Sequence, residues 1–213
     1  MVYGLEKFKN YFKGYEDQYV LIGGTACDIV FKNRDATFRN TRDLDMVLIV
    51  EALTPDFGKR FWEFIKGGKY RNKVTNRGVP QFYRFDKPEV DNYPRMIEFF
   101  CRENFELKEI KGITPIHIDD SISSLSAILL NEDYYRILLE GRVIEDGLSV
   151  LRPEYLILFK AKAYLDLLNR KNNGEKVDSN DISKHKKDIL RIVAQLELEE
   201  VKTIPVMVQR DIE

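Results

Sequence analysis

The sequence predicts an α+β protein: a sheet with flanking helices over residues 1–150, followed by a helical domain over residues 151–213. Three observations predict it. Short apolar runs of strand length, such as 19–22 and 43–50, alternate with helix-period segments through the first two thirds of the chain. The last third changes character, with the long segments LRPEYLILFKAKAYLDL and DISKHKKDILRI reading as helices. A chain of 213 residues with 44% hydrophobic content can bury a core, as one large domain or two small ones.

The elements follow in order. Leu5, Phe8, Tyr11 and Phe12 recur at helical spacing and predict an opening amphipathic helix over 3–13. Residues 19–22 read as a short buried strand, broken by Gly23-Gly24, and residues 25–31 as a helix of two turns. After a polar loop, residues 43–50 carry acids and then only apolar residues, as a central strand does when both faces are covered. Thr54-Pro55 starts a helix with a capping hydroxyl and a proline at the first helical position, and Gly67-Gly68 ends it. Strands are expected at 81–85 and 95–101, joined by the turn-rich DKPEVDNYP, and further short strands at 116–118, 125–130, 134–139 and 142–144. Helices over 153–168 and 181–196 are separated by a polar break at 171–180. Beyond them an acidic LELEE precedes VKTIPVMVQRDIE, and the sequence stops where a further helix could begin.

Charge gives no whole-molecule signal. Lysine and arginine total 34 against 35 acids, a formal net charge of -1, so any polyanion would have to be held by a local patch. Cys27 and Cys101, far apart and beside apolar residues, form neither a disulfide framework nor a metal-ligand spacing. The N-terminus mixes charges through its apolar positions, unlike a signal peptide, and no run approaches the roughly 20 apolar residues that span a bilayer. The expectation is a cytoplasmic protein with no membrane partner.

Candidate chemistry begins with carboxylates. On a strand, Asp43 and Asp45 project from one face while Leu44 and Met46 face the other. Two carboxylates so close repel one another, and Mg²⁺, which takes oxygen ligands and substrate phosphates, would relieve that; a solvated strand edge is the alternative. Glu98 stands in the apolar run Met96-Ile97-Glu98-Phe99-Phe100, where its options are a buried partner, an exposed face or a metal. Asp86, at a strand end, is the reserve third acid. Gly23 and Gly24 let the backbone approach a ligand, and the next helix offers unpaired N–H groups to phosphate, with Thr25 able to add its hydroxyl; a purely structural turn is the alternative. No Gly-Lys-Ser/Thr or Gly-x-Gly-x-x-Gly pattern is present.

Taken together, an apolar strand ending in Gly-Gly, a short helix, an Asp-x-Asp strand and a later strand with a third acid resemble the nucleotidyltransferases of the DNA polymerase β-like superfamily. GGTA, RNTRDLDM, LRPEYLILFKAKAYLDL and DSNDISKHKKDILRI are similar to the AbiEii-like group, toxin nucleotidyltransferases of abortive-infection and toxin-antitoxin systems. The resemblance implies a nucleotidyltransferase-type mixed sheet with flanking helices, and an enzyme that moves NMP from an NTP to an acceptor hydroxyl. It also implies two Mg²⁺ ions, held by Asp43, Asp45 and Glu98, which clamp the attacking and leaving oxygens. Gly23, Gly24, Thr25 and Lys160 match its triphosphate-binding positions. Arg39 is a candidate auxiliary donor, with a surface-loop arginine as the alternative. Lys184 and Asp188 match its second helical motif, beside Asp181 and His185. From spacing alone that face also reads as a solvated ion-pair stripe. One departure is Asp166-Leu167, where related sequences often carry Asp-Arg.

The acceptor is less legible. Between Lys59 and Arg77 seven basic residues face one acid, a segment compatible with a nucleic-acid backbone or with a plain solvated surface. The resemblance makes a tRNA end or other RNA an expected acceptor, with a protein acceptor left open, and a cognate antitoxin protein an expected partner. Two alternatives are carried: a catalytically degenerate nucleotide-binding or partner-binding module of the same fold, and a metal-dependent hydrolase using the same acids. With only His117 and His185, histidine-based chemistries have little to draw on.

Overall fold

The computed structural model describes residues 2–32, 38–39, 41–49, 51–74, 80–102, 131–196 and 203–213. Its strands are β1 (Tyr19–Ile22), β2 (Asp43–Leu48), β3 (Arg71–Val74), β4 (Pro80–Asp86), β5 (Met96–Phe100), β6 (Arg142–Glu145) and β7 (Leu148–Leu151). They form one sheet in the order β3-β4-β5-β2-β1-β7-β6. β2 runs parallel to β5 and β1 parallel to β7, while the other neighbours are antiparallel, so the sheet is mixed. The helices are α1 (Leu5–Tyr11), α2 (Gly23–Lys32), α3 (Pro55–Gly68), α4 (Glu132–Gly141), α5 (Pro153–Asn172), α6 (Ser179–Val193) and α7 (Val206–Ile212). The α+β class expected from the sequence is what the chain adopts.

Strand alternation decides which helix covers which face. Leu44, Met46, Ile97, Phe99 and Phe85 share one face through the registers Leu44 to Ile97, Met46 to Phe99 and Phe85 to Ile97. α3 lies there, with the Phe61 ring 4.4 Å from Phe99 and 5.5 Å from Phe85, and Phe8 of α1 sets its ring edge 5.5 Å from Tyr19. α2 packs on β1 and β2 and is itself packed by α5. Leu156, Phe159 and Ala163 of α5, Ile192 of α6 and Val208 of α7 belong to the same apolar cluster as the sheet.

Several elements differ from expectation. Gly23 and Gly24 do not form a separate turn: β1 passes directly into α2, with Gly23 at φ +68° as its first residue. Residues 134–139, expected as a strand, lie in α4. Their apolar positions Tyr134, Tyr135, Ile137 and Leu138 fit one helical face, and the Asn131 side chain caps the first turn by accepting from the Asp133 N–H. β7 was not expected at all. It pairs with β6 through Asp146-Gly147, both at positive φ, a two-residue turn that Asp-Gly favours. β3 is also new, and α7 forms in the tail after VKTIP, where the sequence left a further helix open. The α3 start is as read, with Thr54 Oγ1 accepting from Phe57 N–H at 3.2 Å. Residues 116–118, including His117, and 125–130 lie outside the described residues.

Candidate functional site at one end of the sheet

Because β1 and β2 are antiparallel and β2 and β5 parallel, the end of β1 and the starts of β2 and β5 meet at one end of the sheet. Asp45 is level with Ile22 on one side and with Glu98 on the other, and Glu98 is level with Arg84. Residues in direct register point to the same face, so Arg84, Glu98, Asp45 and Ile22 form a row across four strands. One step nearer the sheet end, Asp86, Met96 and Asp43 form a second row. Three predicted acids, with the reserve Asp86, thus share one face.

Gly23 sits beneath this row. A Cβ there would collide with Asp45 Oδ2, and the positive φ is a further reason for glycine. Gly24 is packed almost as closely, since a Cβ would meet Thr41 Oγ1 at 3.0 Å and Arg39 Nη2 at 3.3 Å. The positive N-terminal end of α2 is therefore brought to the acids. Thr25 is wholly buried, and its hydroxyl donates to the Asp43 carbonyl at 2.6 Å. That bond ties the first turn of α2 to β2, so the hydroxyl proton expected for phosphate is directed at the backbone instead.

Beside the acids lies a cluster of cations around one carboxylate. Arg39 donates from Nε to Asp188 Oδ1 at 2.8 Å and from Nη2 to Oδ2 at 3.0 Å, a bidentate pairing. Lys160 Nζ donates to Asp188 Oδ2 at 3.0 Å, and Arg191 Nη1 lies 3.5 Å from Oδ1. Asp188 is 0% exposed and Lys160 3%. Burial alone would push the Asp188 carboxyl up, but the Arg39 hydrogen bonds and the Lys160 charge outweigh it and hold it below the usual range. Asp188 is thus placed to bind cations, and any nucleotide contact would run through Arg39 and Lys160. Lys184 and Asp181 are exposed at the edge of the same helical face, and the Lys184 charge reaches Asp45. The stripe reading from spacing alone fails at Asp188, which points into the protein.

Electrostatics join the two halves. Burial, and then the Glu98 charge, push the Asp45 carboxyl up to about 7, with Asp43 adding to the rise and Lys160 and Lys184 opposing it. A cation placed against Asp45 would lower that cost, so the donor set suits a hard divalent ion such as Mg²⁺. Glu98, however, is engaged: its Oε1 lies 2.8 Å from Arg84 Nε, with the Glu98 side chain 8% exposed. Among the described residues no three acid, histidine or cysteine side chains gather into a group that could hold a metal. His185 next to the cation cluster is driven down to about 3 by burial and by Lys160 and Lys184, so it is a neutral imidazole. Burial pushes the Cys27 thiol up to about 12, which removes it as a nucleophile.

Arg84 is the site residue that sequence reasoning missed. A signal existed: an acid in an apolar strand calls for a basic partner, and Arg84 stands alone as a base in the preceding strand PQFYRFD. The cationic segment 59–77 is partly committed within the fold. Arg60 stacks 4.8 Å over the Tyr11 ring, and Arg71 pairs with Glu89 at 3.1 Å, while Lys59, Lys66 and Lys69 are exposed. Asp166, where a basic neighbour was missing, pairs with Lys162 at 3.0 Å. No described helix is long and apolar enough to cross a membrane. Comparisons with protein-family models, with curated proteins and with solved structures found no match to the chain.

Proposed function

We propose that the protein is a Mg²⁺-dependent nucleotidyltransferase that moves NMP from an NTP to an acceptor hydroxyl, with release of pyrophosphate. The observation that carries this reading is the meeting, at one sheet end, of the Asp43 and Asp45 carboxylates with the N-terminus of α2 and the Arg39–Lys160 cation pair. Carboxylates suit a metal, and free helical N–H groups with buried cations suit a triphosphate. The resemblance of GGTA, RNTRDLDM and the two C-terminal motifs to AbiEii-like toxins supports the same reading.

In this reading each group has a defined task. Asp43 and Asp45 hold the ion, with Glu98 as third carboxylate; when bound, the ions supply positive charge on the reacting phosphate oxygens and favour loss of the acceptor proton. The N–H groups at Gly23 and Gly24, which carry no side chain of their own, receive phosphate oxygens beside Arg39. Lys160 and Arg39 stabilise charge that builds on pyrophosphate as it leaves, and their placement by Asp188 removes the need to reorganise during reaction. An RNA end, in particular a tRNA end, is the proposed acceptor, and the exposed Lys59, Lys66 and Lys69 would meet its backbone. An antitoxin protein is the proposed regulator.

Titrating each NTP with Mg²⁺ in a calorimeter, beside a labelled-NTP assay with total RNA, tests the proposal. NTP-selective binding accompanied by labelled RNA is the expected result. Binding with no labelled product would instead establish a nucleotide-binding module, and labelled nucleoside or phosphate with no acceptor would establish a hydrolase.

A further inference from the structure

Resting on the reading of Asp43 and Asp45 as a metal-binding pair, we infer that Arg84 is a positioning residue that latches Glu98 away from that pair until substrate arrives. The row across the sheet sets Glu98 between Arg84 on β4 and Asp45 on β2, each level with it on opposite sides. Glu98 Oε1 is 2.8 Å from Arg84 Nε, and the three carboxylates do not gather into a metal-holding group. The pairing follows from the neighbours: next to Glu98 lie a cation and a like-charged carboxylate, and its carboxylate goes to the cation. Arg84 is 24% exposed at its side chain on the face that carries the acids, so a triphosphate at the site can compete for its guanidinium. Transfer of Arg84 from carboxylate to phosphate frees Glu98 to complete the ligand set, which makes assembly of the site dependent on nucleotide. No bond is made or broken in this step; two ion pairs exchange partners.

Mn²⁺ binding without nucleotide, followed by electron paramagnetic resonance, reads the latch directly in wild type, Arg84→Met, Arg84→Met/Glu98→Gln and Asp45→Asn. With the latch removed, Arg84→Met is expected to bind Mn²⁺ about tenfold more tightly than wild type, because a third charged ligand is released. The double variant is expected to return to the wild-type affinity. Unchanged affinity in Arg84→Met overturns the latch, and a loss of roughly 10–100-fold would show instead that Arg84 supports Glu98 as a ligand. Tighter binding that persists in the double variant also overturns it, since the gain would then come from removing a positive charge alone. If Arg84→Met does not fold, Arg84→Gln, which keeps a polar side chain and removes the charge that holds Glu98, carries the same comparison. Wild type that fails to bind Mn²⁺, or binds it no better than Asp45→Asn, would sink the metal-site reading and not the latch alone.

Discussion

Asp188 shows most plainly how one side chain organises the site. It is buried without exposure and receives Arg39 and Lys160 together, so removing it leaves two cations facing one another in a desolvated pocket. Breaking a buried pair from one side costs about 3–5 kcal/mol. Asp188→Ala is therefore expected to lower unfolding free energy by that order in urea titration, and to weaken NTP binding even in conditions where it is folded. His185 beside it gives a prediction in pH. Its folded value is about 3 against an ordinary 6.5, so below pH 6.5 the unfolded chain takes up a proton that the folded chain refuses. Stability tied to His185 is complete above pH 6.5 and is lost as pH falls toward 3. His185→Gln removes that loss, on the order of 2 kcal/mol after allowance for partial exposure. Urea midpoints compared between about pH 7.5 and about pH 4.5 should fall less in the variant than in wild type; parallel falls would refute the assignment.

At the scale of elements, the join of β1, α2 and β2 builds the site. Gly23→Ala would add a Cβ that collides with Asp45 Oδ2 in a backbone region L residues avoid. It is expected to cost on the order of 1–3 kcal/mol and to displace Asp45, with nucleotide transfer falling more than stability alone explains. Thr25→Val keeps the shape and removes the part-buried bond to the Asp43 carbonyl, with an expected cost of about 1 kcal/mol. The same elements show what the sequence made legible. Alternation marks Asp43-Leu44-Asp45 as strand and the apolar run Met96 to Phe100 marks Glu98, and the register sets Asp45 level with Glu98. Thr54-Pro55 marked its helix because a cap and a proline are local signals. What escaped was non-local or ambiguous in period. Tyr134, Tyr135, Ile137 and Leu138 form a cluster that suits either strand or helix until the Asn131 cap is weighed. β7 follows from the Asp146-Gly147 turn, a local signal that pairs it with β6. The Arg84 pairing with Glu98 depends on which strand lies beside which, and Asp188 meeting Arg39 depends on α6 folding back across 149 residues of chain.

For the whole molecule, one apolar cluster runs from Phe8 and Phe61 under the sheet to Phe159 and Ile192 in the C-terminal helices. Phe159 packs edge-on against Tyr134 at 5.3 Å, so α5 belongs to the core that also supports the sheet. Phe159→Ala is expected to cost about 3–5 kcal/mol and to lower the transition seen by circular dichroism and by Trp62 fluorescence together. Separate transitions would show that residues 151–213 fold as an independent unit. The same continuity joins the site, since β1, β2, β5, α2, α5 and α6 all contribute to it.

The most direct measurement is incorporation of labelled NMP into RNA with Mg²⁺, comparing wild type with Asp45→Asn. Wild type should label RNA, and Asp45→Asn should reduce the rate by at least about 100-fold while retaining the fold. Full labelling by Asp45→Asn would contradict the assignment of the acids at this sheet end as the reactive centre.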